Sequence, residues 1–123
     1  MQQVAFTTDL IVLKSLYDKL NLGEVRGANV VLFDGEKTVG ICRMKIDGEV
    51  TIEELAILKE FDDFASRDFF FRTVLFKLSL GDYVVKIDKV DDRLKKFGFV
   101  ENDGKMLVKS KNIIFPHSCG CKG

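Results

Sequence analysis

The C-terminal stretch carries the residue types most able to do chemistry. His117, Cys119 and Cys121 form a His-x-Cys-x-Cys pattern, and an imidazole with two thiolates is a ligand set suited to Zn²⁺. A structural zinc site needs a fourth ligand, which Cys42, water or a second subunit would have to supply. The spacing is also tighter than in common zinc motifs. Zinc binding and a dithiol redox role therefore stay open as interpretations, and we favour a tail that binds no metal.

Two carboxylates lie inside an apolar stretch near the middle of the chain. Residues 52 to 58 have apolar side chains on both strand parities, which is typical of a central strand covered on both faces. Glu53 and Glu54 are the residues that interrupt this pattern. Glutamates in such a strand are either ion-paired or edge-facing, or they belong to a site.

A helix rich in aromatic residues should follow that strand. Ser66 stands three positions before a run of three phenylalanines, which predicts Ser66 as the N-cap of a helix that begins near Arg67. Apolar side chains form two stripes on nearly opposite sides of this helix, and the helix therefore needs two partners. The stripes are Phe71, Val74, Leu75 and Leu78 on one side, and Phe69, Phe76 and Leu80 on the other. We expect the sheet to cover the first, and a neighbouring element or a second subunit in a homodimer to cover the second.

The bulk composition bounds the class of protein. The chain has 123 residues, 46% of them hydrophobic and 31% charged, with a net charge of zero. We expect a single domain over residues 1–111 and a Cys/His-containing tail over residues 112–123. A neutral chain has no long-range attraction for nucleic acid or an anionic membrane, so we predict neither as a partner. Three cysteines and no signal-peptide layout favour a cytoplasmic protein.

The remaining elements alternate between helices and strands. A helix capped by Thr8-Asp9 comes first, and Asp34-Gly35 and Asp47-Gly48 then mark the turns of a three-strand antiparallel meander. Gly40 in the middle strand indicates a bulge or a close backbone approach, and a plain strand glycine is the alternative. After the aromatic helix come a strand over Tyr83 to Ile87, a short helix over Val90 to Phe97 and a final hairpin turned by Asp103-Gly104. This order predicts an α+β fold in which the Tyr83 strand lies parallel to, and beside, the strand that precedes the aromatic helix.

Three of these segments resemble motifs of the GNAT superfamily of N-acetyltransferases. The stretch Lys95-Lys96-Phe97-Gly98-Phe99-Val100-Glu101 resembles the family's "Y-x-K-L-G-F" ending, and Asp34 to Gly40 resembles its "D-G-x-x-V-G" hairpin. Residues 53 to 58 resemble its fourth strand, and the match spans about residues 25 to 108. The resemblance implies a GNAT-like mixed, mostly antiparallel central sheet with helices on both faces.

The resemblance also implies a binding site for acetyl-CoA. In that family the backbone of the fourth strand faces the pantetheine arm, which corresponds here to Leu55 and Ile57. A glycine-rich loop then opens a helix that holds the pyrophosphate, and the corresponding residues are Ala65, Ser66 and Arg67. Aspartates stand in this loop at positions 62 and 63, so we expect the Arg67 side chain to supply phosphate affinity that the missing glycines cannot.

Catalytic roles follow from the same resemblance. The family commonly uses a carboxylate of the fourth strand as general base, which corresponds to Glu53 or Glu54; we select Glu53, because it shares strand parity with Leu55. The tyrosine of the "Y-x-K-L-G-F" motif falls at Leu94, which cannot donate a proton. Tyr83 is the candidate replacement acid, and the alternative for it is a tyrosine packed in the core. The predicted function is transfer of an acetyl group from acetyl-CoA to an amine. The alternative is a catalytically degenerate GNAT-fold module that binds a partner or metal.

Overall fold

The computed structural model describes residues 1–116. The His-x-Cys-x-Cys pattern of residues 117–121 lies outside them. The seven strands are β1 (Gln2–Phe6), β2 (Ala28–Asp34), β3 (Lys37–Asp47), β4 (Glu49–Ile57), β5 (Val84–Ile87), β6 (Val100–Asn102) and β7 (Lys105–Lys109). The two α-helices are α1 (Leu10–Leu20) and α2 (Phe64–Ser79), and 3₁₀ turns cover Lys59–Phe61, Asp92–Phe97 and Ser110–Asn112.

Local sequence signals fix the N-terminal half. The Asp9 carboxylate caps α1 by accepting from the backbone N–H groups of Ile11 and Val12, as the Thr8-Asp9 pair predicted. Gly35 and Gly48 turn the β2–β3 and β3–β4 hairpins with φ of 64° and 72°, in the left-handed region that favours glycine. The predicted three-strand meander is therefore confirmed.

All seven strands belong to one sheet in the order β1-β2-β3-β4-β5-β7-β6. The β4–β5 pair is parallel and every other pair is antiparallel, so the predicted adjacency of these two strands is confirmed. Helix α2 buries Phe70, Val74 and Leu75 against one face of the sheet. Helix α1 packs on the other face, where Leu16 and Tyr17 join a separate core cluster. The predicted α+β sheet with helices on both faces is confirmed.

Two bulges interrupt the central strands. Gly40 lies beside the first, and a Cβ atom there would stand 3.1 Å from the Ala56 carbonyl oxygen, so both features predicted for this glycine are present. In the second bulge, Arg43 is opposite Glu54 and Met44 is opposite Ile52, which leaves Glu53 as the extra residue of β4. Bulges re-aim side chains and are common beside active sites.

Several predicted boundaries were wrong. Helix α2 begins at Phe64, three residues earlier than predicted, because Asp63 and not Ser66 is its N-cap. The short helix predicted over Val90 to Phe97 is present as a 3₁₀ helix that begins at Asp92, two residues later than predicted. Phe70, outside the predicted stripe, is the fully buried member of the phenylalanine run. No helix within residues 1–116 is long and apolar enough to cross a membrane.

The residues after the last 3₁₀ turn pack against α2. Ile113 is buried in the main core, and the Ile114 N–H donates to the Phe97 carbonyl over 3.0 Å. The Phe115 ring lies 6.2 Å from the ring of Phe76 on α2. The chain therefore stays attached to the domain as far as the described residues extend.

Candidate active site

A gap in the middle of the sheet forms the candidate site. Strands β4 and β5 pair at Val50 with Val85 and at Thr51 with Lys86, and the pairing ends there. Because β4 continues to Ile57, its second half keeps a hydrogen-bonded neighbour only on the β3 side. The open edge of β4 therefore borders a cleft.

Two adjoining cavities of about 300 and 310 Å³ make up this cleft. Both are lined by Leu55, Phe71, Asp91 and Leu94. The first extends along the start of α2, where Phe64 and Arg67 line it, and towards Lys96 and Phe97. The second extends to the β4 bulge and is lined by Glu53, Glu54, Ile87 and Lys89. The cleft thus has an apolar middle with a charged region at each end.

The bulge turns Glu53 away from the side predicted for it. Its carboxylate accepts from Arg43 Nε at 3.1 Å, and the Arg43 guanidinium lies 6.0 Å from the ring of Tyr17 on the α1 side. Leu55 and Ile57 pack instead with the core on the α2 side. The predicted shared parity was wrong, because the extra residue of the bulge shifts the alternation of side chains by one position.

The start of α2 supplies its own anion. The Asp63 carboxylate accepts from the Ser66 N–H at 2.7 Å, and this hydrogen bond lowers the pKa of Asp63. Arg67 makes two bonds to the Asp62 carboxylate, at 2.6 and 3.0 Å. A carboxylate thus occupies one amide of the helix N-terminus, where a phosphate oxygen would otherwise bind.

The three residues predicted to bind phosphate therefore have different surroundings. Arg67 lines the cleft, and Ala65 is exposed in the first turn of α2. Ser66 is buried, and its hydroxyl accepts from Gln2 Nε2 of β1 at 2.8 Å. The Ser66 side chain is thereby held by the opposite end of the sheet and not by the cleft.

Tyr83 lies apart from the cleft. It precedes β5, and its N–H donates to the Ser110 hydroxyl at 3.2 Å, whereas the cleft is bordered by Ile87 at the other end of that strand. Burial raises the pKa of Tyr83. Leu94, at the family's tyrosine position, is buried and lines both cavities. The described lining of the cleft therefore contains no tyrosine.

Sequence reasoning missed the loop after β5. Asp91 and Lys89 line the cleft, and hydrogen bonds from Arg93 lower the pKa of the Asp91 carboxyl. The available signal was position, because residues that follow the carboxyl end of a parallel strand collect at the edge where ligands bind.

Acetyl-CoA, which the resemblance implies, fits this cleft in most of its parts. Leu55, Phe71 and Leu94 give apolar walls suited to a pantetheine arm. Arg67 is the cation at the start of α2, and its exposed ion pair with Asp62 contributes at most about 1 kcal/mol. The pair can therefore open at small cost. Residues 1–116 contain no cluster of three or more metal-ligating side chains.

Comparisons with known proteins place this geometry in a wider group. No family model matches the chain, and no curated protein matches its sequence. Among solved structures, the ribosomal-protein-S18-alanine N-acetyltransferase from Escherichia coli is similar at 12% identity and a TM-score of 0.66, with 96% of this chain and 98% of that one covered.

Two further similar structures contain bound molecules. A GNAT family acetyltransferase from Brucella melitensis in complex with acetyl-CoA is 9% identical, with a TM-score of 0.63 and coverage of 89% and 88%. AtaT complexed with acetyl-methionyl-tRNAfMet is 12% identical, with a TM-score of 0.57 and coverage of 90% and 96%. Similarity at these sequence identities shows the fold alone. The chain has the fold of the GNAT acetyltransferases, as the motif at Lys95 to Glu101 predicted.

Proposed function

We propose that this protein transfers an acyl group, acetyl in the simplest case, from a CoA thioester to an amine. The observation that carries the proposal is the opening between β4 and β5, which leaves the edge of β4 free beside an apolar cleft that ends at the start of α2. The similar Brucella melitensis acetyltransferase is in complex with acetyl-CoA. The free edge of β4 near Leu55 and Ile57 offers backbone groups to the pantetheine amides.

The residues that line the cleft have different roles in the proposed reaction. Arg67 neutralises phosphate at the start of α2, and Leu55 and Leu94 exclude water from the thioester region. A carboxylate of the β4 bulge, either Glu53 or Glu54, takes the proton that the amine nitrogen loses. The nitrogen forms the new C–N bond as the C–S bond breaks, and the electron pair leaves on sulphur. Because Tyr83 lies apart from the cleft and Leu94 has no proton to give, no tyrosine of the described lining protonates the sulphur, which leaves as the thiolate and takes its proton from solvent.

Calorimetric titration of the full chain with acetyl-CoA tests this function. We expect saturable binding and, with an amine present, release of free CoA thiol. Desulfo-CoA is the matched probe, because it keeps the phosphates and lacks the thiol. Absence of heat at millimolar acetyl-CoA contradicts the proposal.

A second function has its own support. The Asp62 and Asp63 carboxylates at the start of α2, together with leucine at the position of the family's acid, favour a module that keeps the fold and has lost catalysis. Such a module binds a protein partner through the same domain. The charge balance predicts that it binds neither nucleic acid nor a membrane surface, and cytoplasmic localisation remains a prediction for both functions.

We also propose that the protein forms a homodimer through the outer face of α2. Phe69, Phe76 and Leu80 are 38%, 56% and 75% exposed, and Phe115 covers only part of Phe76. Exposed apolar residues of this size on one helix face favour association. Phe76→Asp should convert a dimer to a monomer in sedimentation velocity, and Ser15→Asp on the exposed side of α1, which packs on the other face of the sheet, is the control with the same change of charge. A monomer with or without Phe76→Asp contradicts the proposal and leaves Phe115 as the cover.

A further inference from the structure

We infer that the α2 end of the cleft binds the nucleotide half of CoA between the ring of Phe64 and the ammonium group of Lys96. Phe64 stacks on the adenine, and Lys96 holds the diphosphate from the wall opposite Arg67. The inference rests on the proposed acyl transfer from a CoA thioester. These three residues line one cavity of about 300 Å³.

Helix α2 presents one face to this cavity. The lining residues from α2 are Phe64, Arg67, Asp68 and Phe71, and a spacing of three or four residues places side chains on the same side of a helix. Phe71 marks the inner end, because its ring packs at 5.4 Å against the buried ring of Phe97. Phe64 lies about 10 Å further along the axis, since an α-helix rises about 1.5 Å per residue.

The character of this face changes in the same order as the parts of CoA. The inner end at Phe71 is apolar, the middle at Arg67 is cationic, and the outer end at Phe64 is aromatic. CoA continues from an apolar pantetheine arm through a diphosphate to an adenine ring. A pantetheine arm seated at Phe71 therefore brings the diphosphate to Arg67 and the adenine to Phe64.

The ring of Phe64 is free to receive a flat ligand. It is 74% exposed, whereas Phe70 in the next turn of the same helix is fully buried. Within residues 1–116, no aromatic ring stacks on Phe64. Covering an exposed ring gains hydrophobic free energy, and nucleic-acid bases stack on aromatic side chains in this way. Adenine is a ligand of the matching shape and chemistry.

The opposite wall contributes a cation that has no counter-charge of its own. The charged side chains that line the cavity are Arg67, Arg93, Lys96, Asp68 and Asp91. Both carboxylates are already paired, Asp91 with Arg93 and Asp68 with Arg72, each at 2.8 Å. Among the described residues, no carboxylate lies within ion-pair distance of Lys96. The Lys96 ammonium group, 5.3 Å from the centre of the Phe97 ring, is therefore available to an anionic ligand.

A second cation matters here because the start of α2 attracts phosphate weakly. Asp63 occupies an amide of the helix N-terminus, and Asp62 offsets the charge of Arg67. Lys96 adds a positive charge from the other wall, at a position that these two aspartates do not neutralise. Arg67 and Lys96 together then hold the diphosphate from both sides.

Calorimetry on the full chain tests the site, with CoA and dephospho-CoA as probes. Phe64→Ala and Lys96→Ala should each weaken CoA binding by about ten-fold and leave Tm unchanged, because both side chains are exposed. Dephospho-CoA should lose the same factor, since it keeps the adenine and the diphosphate. Phe64→Tyr retains the ring and should retain wild-type affinity. Lys95→Ala is the charge control, because Lys95 pairs with Asp92 and lies outside the cavity lining.

A fluorescent variant reports stacking without any dependence on activity. The chain contains no tryptophan, so Phe64→Trp introduces a single indole at the site. CoA should quench its emission, because the adenine stacks on the indole, and pantetheine at the same concentration should not. Equal quenching by pantetheine and CoA would overturn the inference.

The outcomes separate this site from the proposed function. CoA binding that is unchanged in both Phe64→Ala and Lys96→Ala overturns the inference and leaves acyl transfer standing. A loss in Lys96→Ala that is seen with CoA and not with dephospho-CoA also overturns it, because Lys96 would then hold the 3′-phosphate. CoA binding that depends on Phe64 and Lys96, without thiol release from acetyl-CoA in the presence of an amine, overturns the proposed function alone. Absence of CoA binding overturns both.

Discussion

The two ends of the cleft differ in how closely they follow the family to which the fold is similar. At the β4 end, the strand opening, the bulge and two carboxylates are present together. At the α2 end, the helix N-terminus is in place, but Asp63 stands at a position that corresponds to a glycine of the family's loop, and its carboxylate caps the helix. The strand and the helix expected from the family are present at both ends of the cleft, and the side chains depart from the family's motif mainly at the α2 end.

This contrast shows which properties depend on many residues and which on few. The opening of the sheet results from the register of whole strands, so no single substitution removes it. Phosphate affinity at a helix N-terminus depends on a few amides and the charges next to them. At this N-terminus, the Asp62 and Asp63 carboxylates add negative charge without a change of fold.

The largest effect is expected at Arg67. If this side chain holds phosphate, Arg67→Ala should weaken acetyl-CoA binding about ten-fold to over a hundred-fold, since a charge-assisted contact contributes roughly 1.5–3 kcal/mol. Calorimetry measures the change. Asp62→Asn is the complementary variant: it releases Arg67 from its ion pair and should strengthen binding. Unchanged affinity in both variants would place the phosphates elsewhere and remove the distinction between the two ends.

A smaller gain is expected from Leu94→Tyr. The variant places a proton donor on the cleft wall where the described lining has no tyrosine, and general acid catalysis by a well-placed group contributes about a hundred-fold or more. An engineered donor is less well placed, so we expect a gain in kcat of about ten-fold. Leu94→Phe is the matched control, because it has the ring without the hydroxyl. Equal rates for the two variants would mean that sulphur needs no acid here.

The smallest effect should be the contribution of the α2 cap to the pH dependence of folding stability. The Ser66 N–H lowers the pKa of Asp63 below its ordinary value of 3.8, so this cap stabilises the fold fully above that value and loses its contribution as the pH falls through the lowered pKa. Asp63→Asn should keep the cap and flatten this part of the stability curve, measured by urea denaturation at acidic pH. The pKa of Asp91 is also lowered, so the contribution of Asp91 to the stability curve should be the same in the wild type and in Asp63→Asn.

Asp63→Gly provides a further comparison at the same position. Glycine is an accepted N-cap residue, and it removes a negative charge from the phosphate end. Acetyl-CoA should therefore bind more tightly to Asp63→Gly than to Asp63→Asn, because only glycine also restores close backbone approach. Equal affinity for the two would assign the whole effect to charge.

Much of the architecture was predictable because its signals are local. Asp-Gly pairs marked both turns of the meander, and the Phe97-Gly98-Phe99 ending pointed to the fold. The cap of α2 was not predictable in the same way, since Asp63 and Ser66 both satisfy the N-cap pattern and only the packing of Ser66 against Gln2 separates them.

The sequence by itself determined the order of elements and the presence of two glutamates on β4, because these follow from residue types and short-range periodicity. It also determined the parallel pairing of β4 with β5, because a helix connects the two strands. Only the tertiary structure decided which glutamate is committed to Arg43 and that Tyr83 lies apart from the cleft. A single extra residue at a bulge reverses the direction of side chains along a strand. That residue has no distinct sequence pattern, so the assignment depends on the pairing of β4 with β3.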